Sequence, residues 1–62
     1  MNNHGMSKKY DKVYNLVTKL RWLGYSHAKV MDKLIERKLA NDTAEADQLI
    51  LNAIDEQTRR LS

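Results

Sequence analysis

The chain has 62 residues, a net charge of +3, and neither cysteine nor proline. This length allows one domain with one small core, and the missing cysteines exclude disulfides and thiolate metal sites. No stretch is apolar enough for a signal peptide or a membrane span, so a cytoplasmic location is expected. Leu, Ala, Lys, Glu, Gln and Arg are plentiful and all form helices well, so the composition predicts an all-α protein.

The charge is distributed unevenly along the chain. Nine basic and three acidic residues lie between Lys8 and Lys38, which gives this part a charge of +6. From Leu39 onward there are five acidic residues and two arginines, which gives −3. This asymmetry predicts an anion-facing part in the first two thirds of the chain and a separate part for packing or for partners.

The first predicted helix follows a short N-terminal tail. Residues 1–6 show no apolar periodicity, so we expect them to be a disordered tail, and residues 7–62 are expected to form a single compact three-helix domain. Ser7 is the predicted N-cap of helix 1, which runs to about Leu23. The apolar stripe of this helix recurs with a helical period and predicts its core face. The stripe consists of Val13, Leu16, Val17, Leu20 and Leu23.

Trp22 falls on the polar face of helix 1, among lysines. Two interpretations are open. In the preferred one the indole folds over the helix end and packs on the turn or on helix 3, because apolar side chains of small domains often lie at the core edge. In the other the indole is exposed and suits a partner surface or stacking on a base.

Gly24 and Ser26 predict a tight turn between helices 1 and 2. Gly24 suits the left-handed position that follows a helix C-cap, since it has no Cβ to clash there. Ser26 suits the N-cap of helix 2, because its hydroxyl can accept a hydrogen bond from a first-turn N–H. Helix 2 is predicted from His27 to about Ala40, and Asn41 is expected to take the left-handed position at its end.

Helix 3 is predicted from Thr43 to about Leu61. Asp42 and Glu45 resemble a capping box at its start. Leu51 lies outside the apolar stripe, which predicts either a second surface for a partner or symmetric copy, or additional core. A homodimer through helix 3 is therefore one expectation. The stripe consists of Ala46, Leu49, Ile50, Ala53, Ile54 and Leu61.

The chain lacks the residue patterns that catalysis and ion binding require. It contains no Gly-rich phosphate loop, no His-x-x-x-His pair and no acidic calcium loop. A three-helix domain of this size also has little room for a cleft that excludes water. We therefore expect no enzyme activity, no cofactor and no metal.

The turn at Gly24 resembles the helix-turn-helix motif. Leu23 and Tyr25 flank the glycine with the bulky apolar residues that the motif prefers, and Val30 occupies the aliphatic position six residues after it. The resemblance implies that helix 2 reads DNA, with four of its residues near bases or phosphates. These are His27, Lys29, Asp32 and Lys33.

Two residues depart from that motif, and two other families share parts of the same region. Leu20 stands where the motif prefers alanine or glycine, and Lys33 stands where it prefers an aliphatic residue. Residues 23–26 are similar to the Met-Gly-Phe turn of ubiquitin-associated domains, which are three-helix adaptors. Residues 26–34 are similar to the helical repeats of the RecX recombination regulator.

Two functions from different classes fit the sequence. The preferred one is a small non-enzymatic nucleic-acid-binding or regulatory protein, because basic charge concentrated on one part is the more specific signal. The alternative is a protein–protein interaction adaptor or inhibitor that uses Trp22, Tyr25 and the apolar face of helix 3 with Leu51. The candidate nucleic-acid contacts are Lys8, Lys12, Lys19, Arg21, Trp22, His27, Lys29, Lys33 and Arg37.

Overall fold

Three α-helices and two short connections make up the part of the chain that the computed structural model describes, which is the backbone of residues 4–61 and the side chains of residues 9–61. The helices are α1 (His4–Trp22), α2 (His27–Glu36) and α3 (Thr43–Leu61), and no strand is present within residues 4–61. Each helix contacts the other two. The predicted all-α, three-helix fold is confirmed.

The core lies where the three apolar stripes meet. Leu34, Ile50, Val17 and Val30 are the largest fully buried side chains, so every helix contributes at least one. No polar or charged residue of the described part is buried. The apolar periodicity therefore predicted the core faces of the helices. The buried residues are Val13, Val17, Leu20, Val30, Leu34, Ala40, Ala46, Ile50 and Ala53.

Two residues assigned to the core stripes are exposed instead. Leu23 is 58% exposed because it lies beyond the last residue of α1, where the chain leaves the core face. Leu61 is exposed at the end of α3, a helix of 19 residues that is much longer than the 10-residue α2. A difference of nine residues is about 13 Å of helix, so the end of α3 extends beyond α2.

Helix α1 begins earlier than the sequence predicted. It starts at His4, so Ser7 lies inside the helix and is not its N-cap. His4–Met6, expected to be part of a disordered tail, have a helical backbone, while residues 1–3 lie outside the described residues. Extending a helix costs much less than nucleating one, so an N-terminal extension needs no apolar stripe of its own.

The end of α1 is closed by the predicted glycine turn. The Tyr25 N–H donates to the Leu20 carbonyl at 3.0 Å and the Gly24 N–H donates to the Arg21 carbonyl at 3.0 Å, which is the Schellman pattern. Gly24 has φ +93°, the conformation that favours glycine. Ser26 is the N-cap of α2, and its hydroxyl accepts from the Lys29 N–H at 3.3 Å. Both predictions for this turn are confirmed.

The end of α2 uses the same turn at a different residue from the one predicted. The helix stops at Glu36, and Lys38, not Asn41, takes the left-handed position with φ +61°. The Lys38 N–H donates to the Ile35 carbonyl at 3.0 Å and the Leu39 N–H donates to the Leu34 carbonyl at 2.9 Å. The early turn lets Leu39 pack on the core, and burial of that side chain offsets the strain of a non-glycine residue there.

The predicted cap of α3 is present in a modified form. The Glu45 N–H donates to the Asp42 carboxylate at 2.8 Å, as in a capping box. The Glu45 carboxylate accepts from the Asn41 N–H at 2.7 Å, one residue before the usual position. This pair satisfies two backbone donors and establishes where α3 begins.

Candidate functional site

A groove of about 680 Å³ lies between α1 and the segment that connects α2 with α3. Two leucines that pack against the core form its apolar part, and three basic residues line it with them. We call this feature the basic groove. Its lining residues are Lys12, Asn15, Leu16, Lys19, Arg37 and Leu39.

The basic groove is a region of uncompensated positive charge. No acidic residue lines it, and Lys12, Lys19 and Arg37 take part in none of the ion pairs found among the described side chains. All three are exposed. Cations that converge around a partly apolar surface raise the local potential, and the low-dielectric wall focuses it.

Further predicted contacts on α2 extend from this groove along one side of the helix. Lys29, Lys33 and Arg37 are spaced four residues apart, so they lie on successive turns. Lys33 is half-buried and its ammonium lies 3.6 Å from the Glu36 carboxylate, whereas Lys29 is exposed. The arrangement brings Arg37 into the groove and leaves Lys29 at the far end of the row. The side chain of Lys8, another predicted contact, lies outside the described residues.

Trp22 does not pack as the preferred interpretation expected. Its side chain is 87% exposed, so the indole covers neither the turn nor α3. The physical reason is the helical register, because Trp22 is rotated about 200° from the buried Leu20. Its neighbour Arg21 is also exposed, so the end of α1 presents an aromatic ring beside a cation.

The side chain of His27 forms a hydrogen bond to helix α3. Its Nε2 donates to the Asp47 carboxylate over 2.6 Å, and both side chains are about half exposed. This contact places a carboxylate beside the first residue of α2, the end that the helix-turn-helix resemblance would turn toward DNA. A negative charge there opposes phosphate, so the electrostatics favour the basic groove over the start of α2 as an anion site.

A second groove, of about 320 Å³, lies between α1 and α3 and differs in charge. Its two arginines are paired: Arg59 donates to Asp55 at 2.7 Å and Arg60 donates to Glu56 at 3.1 Å. The hydrogen bond to Glu56 raises the pKa of Arg60, and its guanidinium stacks 4.2 Å from the centre of the Tyr14 ring. These cations are neutralised locally, so this groove has little attraction for an anion.

The proposed protein-interface residues lie at the surface. Tyr25 is 40% exposed and Leu51 is 48% exposed. Leu51 follows Asp47 by one helical turn, and Asp47 contacts His27, so Leu51 lies on the side of α3 that adjoins the start of α2. Leu23, which sequence reasoning assigned to the core, joins the exposed apolar residues at the α1–α2 turn.

Sequence reasoning missed three lining residues of the basic groove. Asn15 could have been found, because it lies between Lys12 and Lys19 on the same helical stripe. Leu16 was assigned to the core, and in the structure it both packs against the core and lines the basic groove. Leu39 reaches the groove only because α2 stops at Glu36, and the apolar periodicity of the sequence did not predict that helix end.

Comparison with known proteins identifies no relative. No protein-family model matches the chain, and it matches neither a curated protein nor a solved structure. None of the helices within residues 4–61 combines the length and the apolar character needed to cross a membrane. The same part of the chain holds no group of three or more His, Asp or Glu side chains placed to bind a metal ion.

Proposed function

We propose that this chain is a small non-enzymatic nucleic-acid-binding protein whose main contact surface is the basic groove. The observation that carries the proposal is the convergence of Lys12, Lys19 and Arg37, from different parts of the chain, on one groove without an acidic lining residue. Nucleic acid carries phosphates at regular intervals along its backbone, which suits several cations that line one groove. Displacing the counterions condensed on nucleic acid supplies the favourable free energy of binding.

Salt dependence gives the quantitative test. Three phosphate contacts predict a slope of log K against log salt of about −2 for a single strand and about −3 for a duplex. Between about 50 and 200 mM salt the affinity is then expected to fall about 20- to 40-fold. Fluorescence anisotropy with a labelled oligonucleotide measures both quantities.

A matched pair of variants separates the groove from the overall charge. Lys12→Gln with Lys19→Gln removes two cations from the groove, whereas Lys9→Gln with Arg59→Gln removes two cations that do not line it. Both variants keep good helix formers and have the same net charge. The groove variant is expected to lose about 1.4 to 1.8 from the salt slope and the control to lose little. Equal losses in the two variants would show that only net charge matters.

The contribution of α2 needs its own variant. Reversing Lys29 and Lys33 together to glutamate is expected to weaken binding of duplex DNA if the row on α2 reaches the phosphates. Lys33 already lies near Glu36, so neutralising the same two lysines to glutamine should reduce the salt slope by less than the groove variant does. Unchanged affinity would remove α2, apart from Arg37, from the contact surface.

The second candidate is a protein–protein adaptor, and the exposure of the aromatic side chains favours it. Trp22, Leu23 and Tyr25 are 87%, 58% and 40% exposed within four consecutive positions, and exposed aromatic side chains often anchor protein interfaces. Leu51 would extend this surface or hold a homodimer through α3. The test is a pull-down from extract treated with nuclease. A complex that survives nuclease and the groove variant but is lost with Trp22→Ala would favour the adaptor.

A further inference from the structure

The polar side of α1 carries a stripe that ends in an aromatic ring. Lys12, Asn15, Lys19 and Trp22 are spaced three or four residues apart, so they fall within an arc of about 80° on the helix. The stripe is about 15 Å long from its first to its last residue. Three of its four members line the basic groove, and Trp22 continues the line beyond the groove.

The surroundings of the tryptophan are cationic. Between Asp11 and Asp32 the sequence contains four basic residues and no acidic one. Trp22 lies one helical turn from Lys19 and directly follows Arg21, and all three are exposed. An indole that is 87% exposed contributes almost nothing to the core, so its size serves no packing purpose here.

From this arrangement we propose that the basic groove binds nucleic acid as a single strand, with phosphates at Lys12, Lys19 and Arg37 and an unpaired base stacked on Trp22. The inference rests on the proposed function and specifies its ligand. In a duplex the bases already stack on both faces, so an exposed ring on a helix side has no base to meet. A single strand offers free base faces, and a lysine track with an aromatic platform matches it.

The apolar part of the groove supports the same ligand. Leu16 and Leu39 line the groove together with the cations, so a flexible strand can place a sugar or a second base edge against them. A rigid duplex presents mainly phosphate at its outer surface and cannot bring base faces to such a groove. Positive charge alone would suit a single strand and a duplex equally, so the aromatic ring and the two leucines are the features that favour the single strand.

The intrinsic fluorescence of the unmodified chain reports on this contact directly, because Trp22 is the single tryptophan. We expect a single-stranded oligonucleotide to quench the emission and the same sequence as a blunt duplex to bind more weakly with little quenching. Heparin serves as the polyanion without bases and is expected to leave the emission nearly unchanged. Equal quenching by heparin would overturn the stacking contact.

Two substitutions separate stacking from charge. Trp22→Ala is expected to raise the Kd for the single strand about 5- to 150-fold and to leave the salt slope unchanged, because stacking releases no counterions. Trp22→Phe should retain most of the affinity. Lys19→Gln should instead reduce the salt slope by about 0.7. Circular dichroism checks the fold, which an exposed side chain is not expected to affect.

The outcomes distinguish this inference from the function on which it rests. Duplex binding at least as tight as single-strand binding, with an unaffected Trp22, would overturn the single-strand inference and leave nucleic-acid binding in place. No binding of either form at low salt would overturn both. Arms with DNA and RNA strands of the same sequence identify the preferred sugar.

Discussion

Helices α1 and α2 both end in a Schellman turn, but the left-handed position holds a glycine in the first turn and a lysine in the second. Glycine is favoured at both positions, so removing it from the first and introducing it into the second should change the stability in opposite directions. Gly24 and Lys38 both occupy the left-handed position of a Schellman turn, with φ +93° and +61°. For a residue with a side chain the left-handed conformation costs about 1–2 kcal/mol. Gly24→Ala should therefore destabilise the fold, and Lys38→Gly should stabilise it.

The size of the effect at Gly24 depends on the backbone alone. A Cβ added there meets no heavy atom within 4 Å, so no steric clash contributes. Replacing glycine also reduces the entropy of the unfolded chain, which offsets about 0.4–1 kcal/mol of the strain. The net loss for Gly24→Ala is about 1 kcal/mol, which lowers the Tm by about 4–8 °C in a domain of this size. Asparagine tolerates the left-handed conformation, so Gly24→Asn should fall between glycine and alanine.

Lys38 needs a control for its charge. A cation at the end of a helix interacts favourably with the dipole, so Lys38→Gly loses that contribution while it relieves the strain. Lys38→Ala removes the same charge and keeps the Cβ. The difference between these two variants isolates the backbone effect, and we expect glycine to be more stable than alanine by about 0.5–1 kcal/mol.

Thermal unfolding followed by circular dichroism measures all these variants. The reasoning requires the order Gly, Asn, Ala at position 24 and a higher Tm for glycine than for alanine at position 38. A Gly24→Ala protein with the Tm of the original chain would refute it, because no other contact at this position could compensate.

Two further predictions concern stability. The Thr18 hydroxyl is buried without a hydrogen-bond partner among the described residues. Thr18→Val keeps the shape and removes the polar atom, so it should raise the free energy of unfolding, measured in urea, by about 1 kcal/mol. A loss of stability would mean that the hydroxyl has a hydrogen-bond partner in solution. Asp42→Ala removes the acceptor of the Glu45 N–H and should lower the free energy of unfolding by about 1 kcal/mol. Asp42→Ser should retain most of the stability, because serine is also a good N-cap residue. Equal losses of stability in the two variants would argue against the cap.

The basic groove and the second groove occupy different sides of α1. Lys12 and Lys19 line the basic groove, while Val13 and Tyr14 line the second groove beside α3. The arginines of α3 are paired with its own acidic residues. Most of the free positive charge therefore remains on α1 and α2, as the charge asymmetry along the chain predicted.

Local sequence determined the three helices of this protein and the turn between α1 and α2. The helical periods predicted Val17, Leu34 and Ile50 as core, because one face of each helix must be apolar to pack. Gly24 and Ser26 predicted the first turn, since few residues suit those two backbone positions. The excess of positive charge in the first two thirds was also visible without a structure.

Only the tertiary structure decided where α2 ends and that the residues after its end line the basic groove. Stopping at Glu36 and turning at Lys38 brings Leu39 onto the core and Arg37 into a groove with two lysines of α1. That outcome depends on burial against another helix, a long-range free energy that outweighs the local preference against a left-handed lysine. The helical register placed Trp22 on the polar side of α1, but only the tertiary structure showed that neither α2 nor α3 covers the indole there.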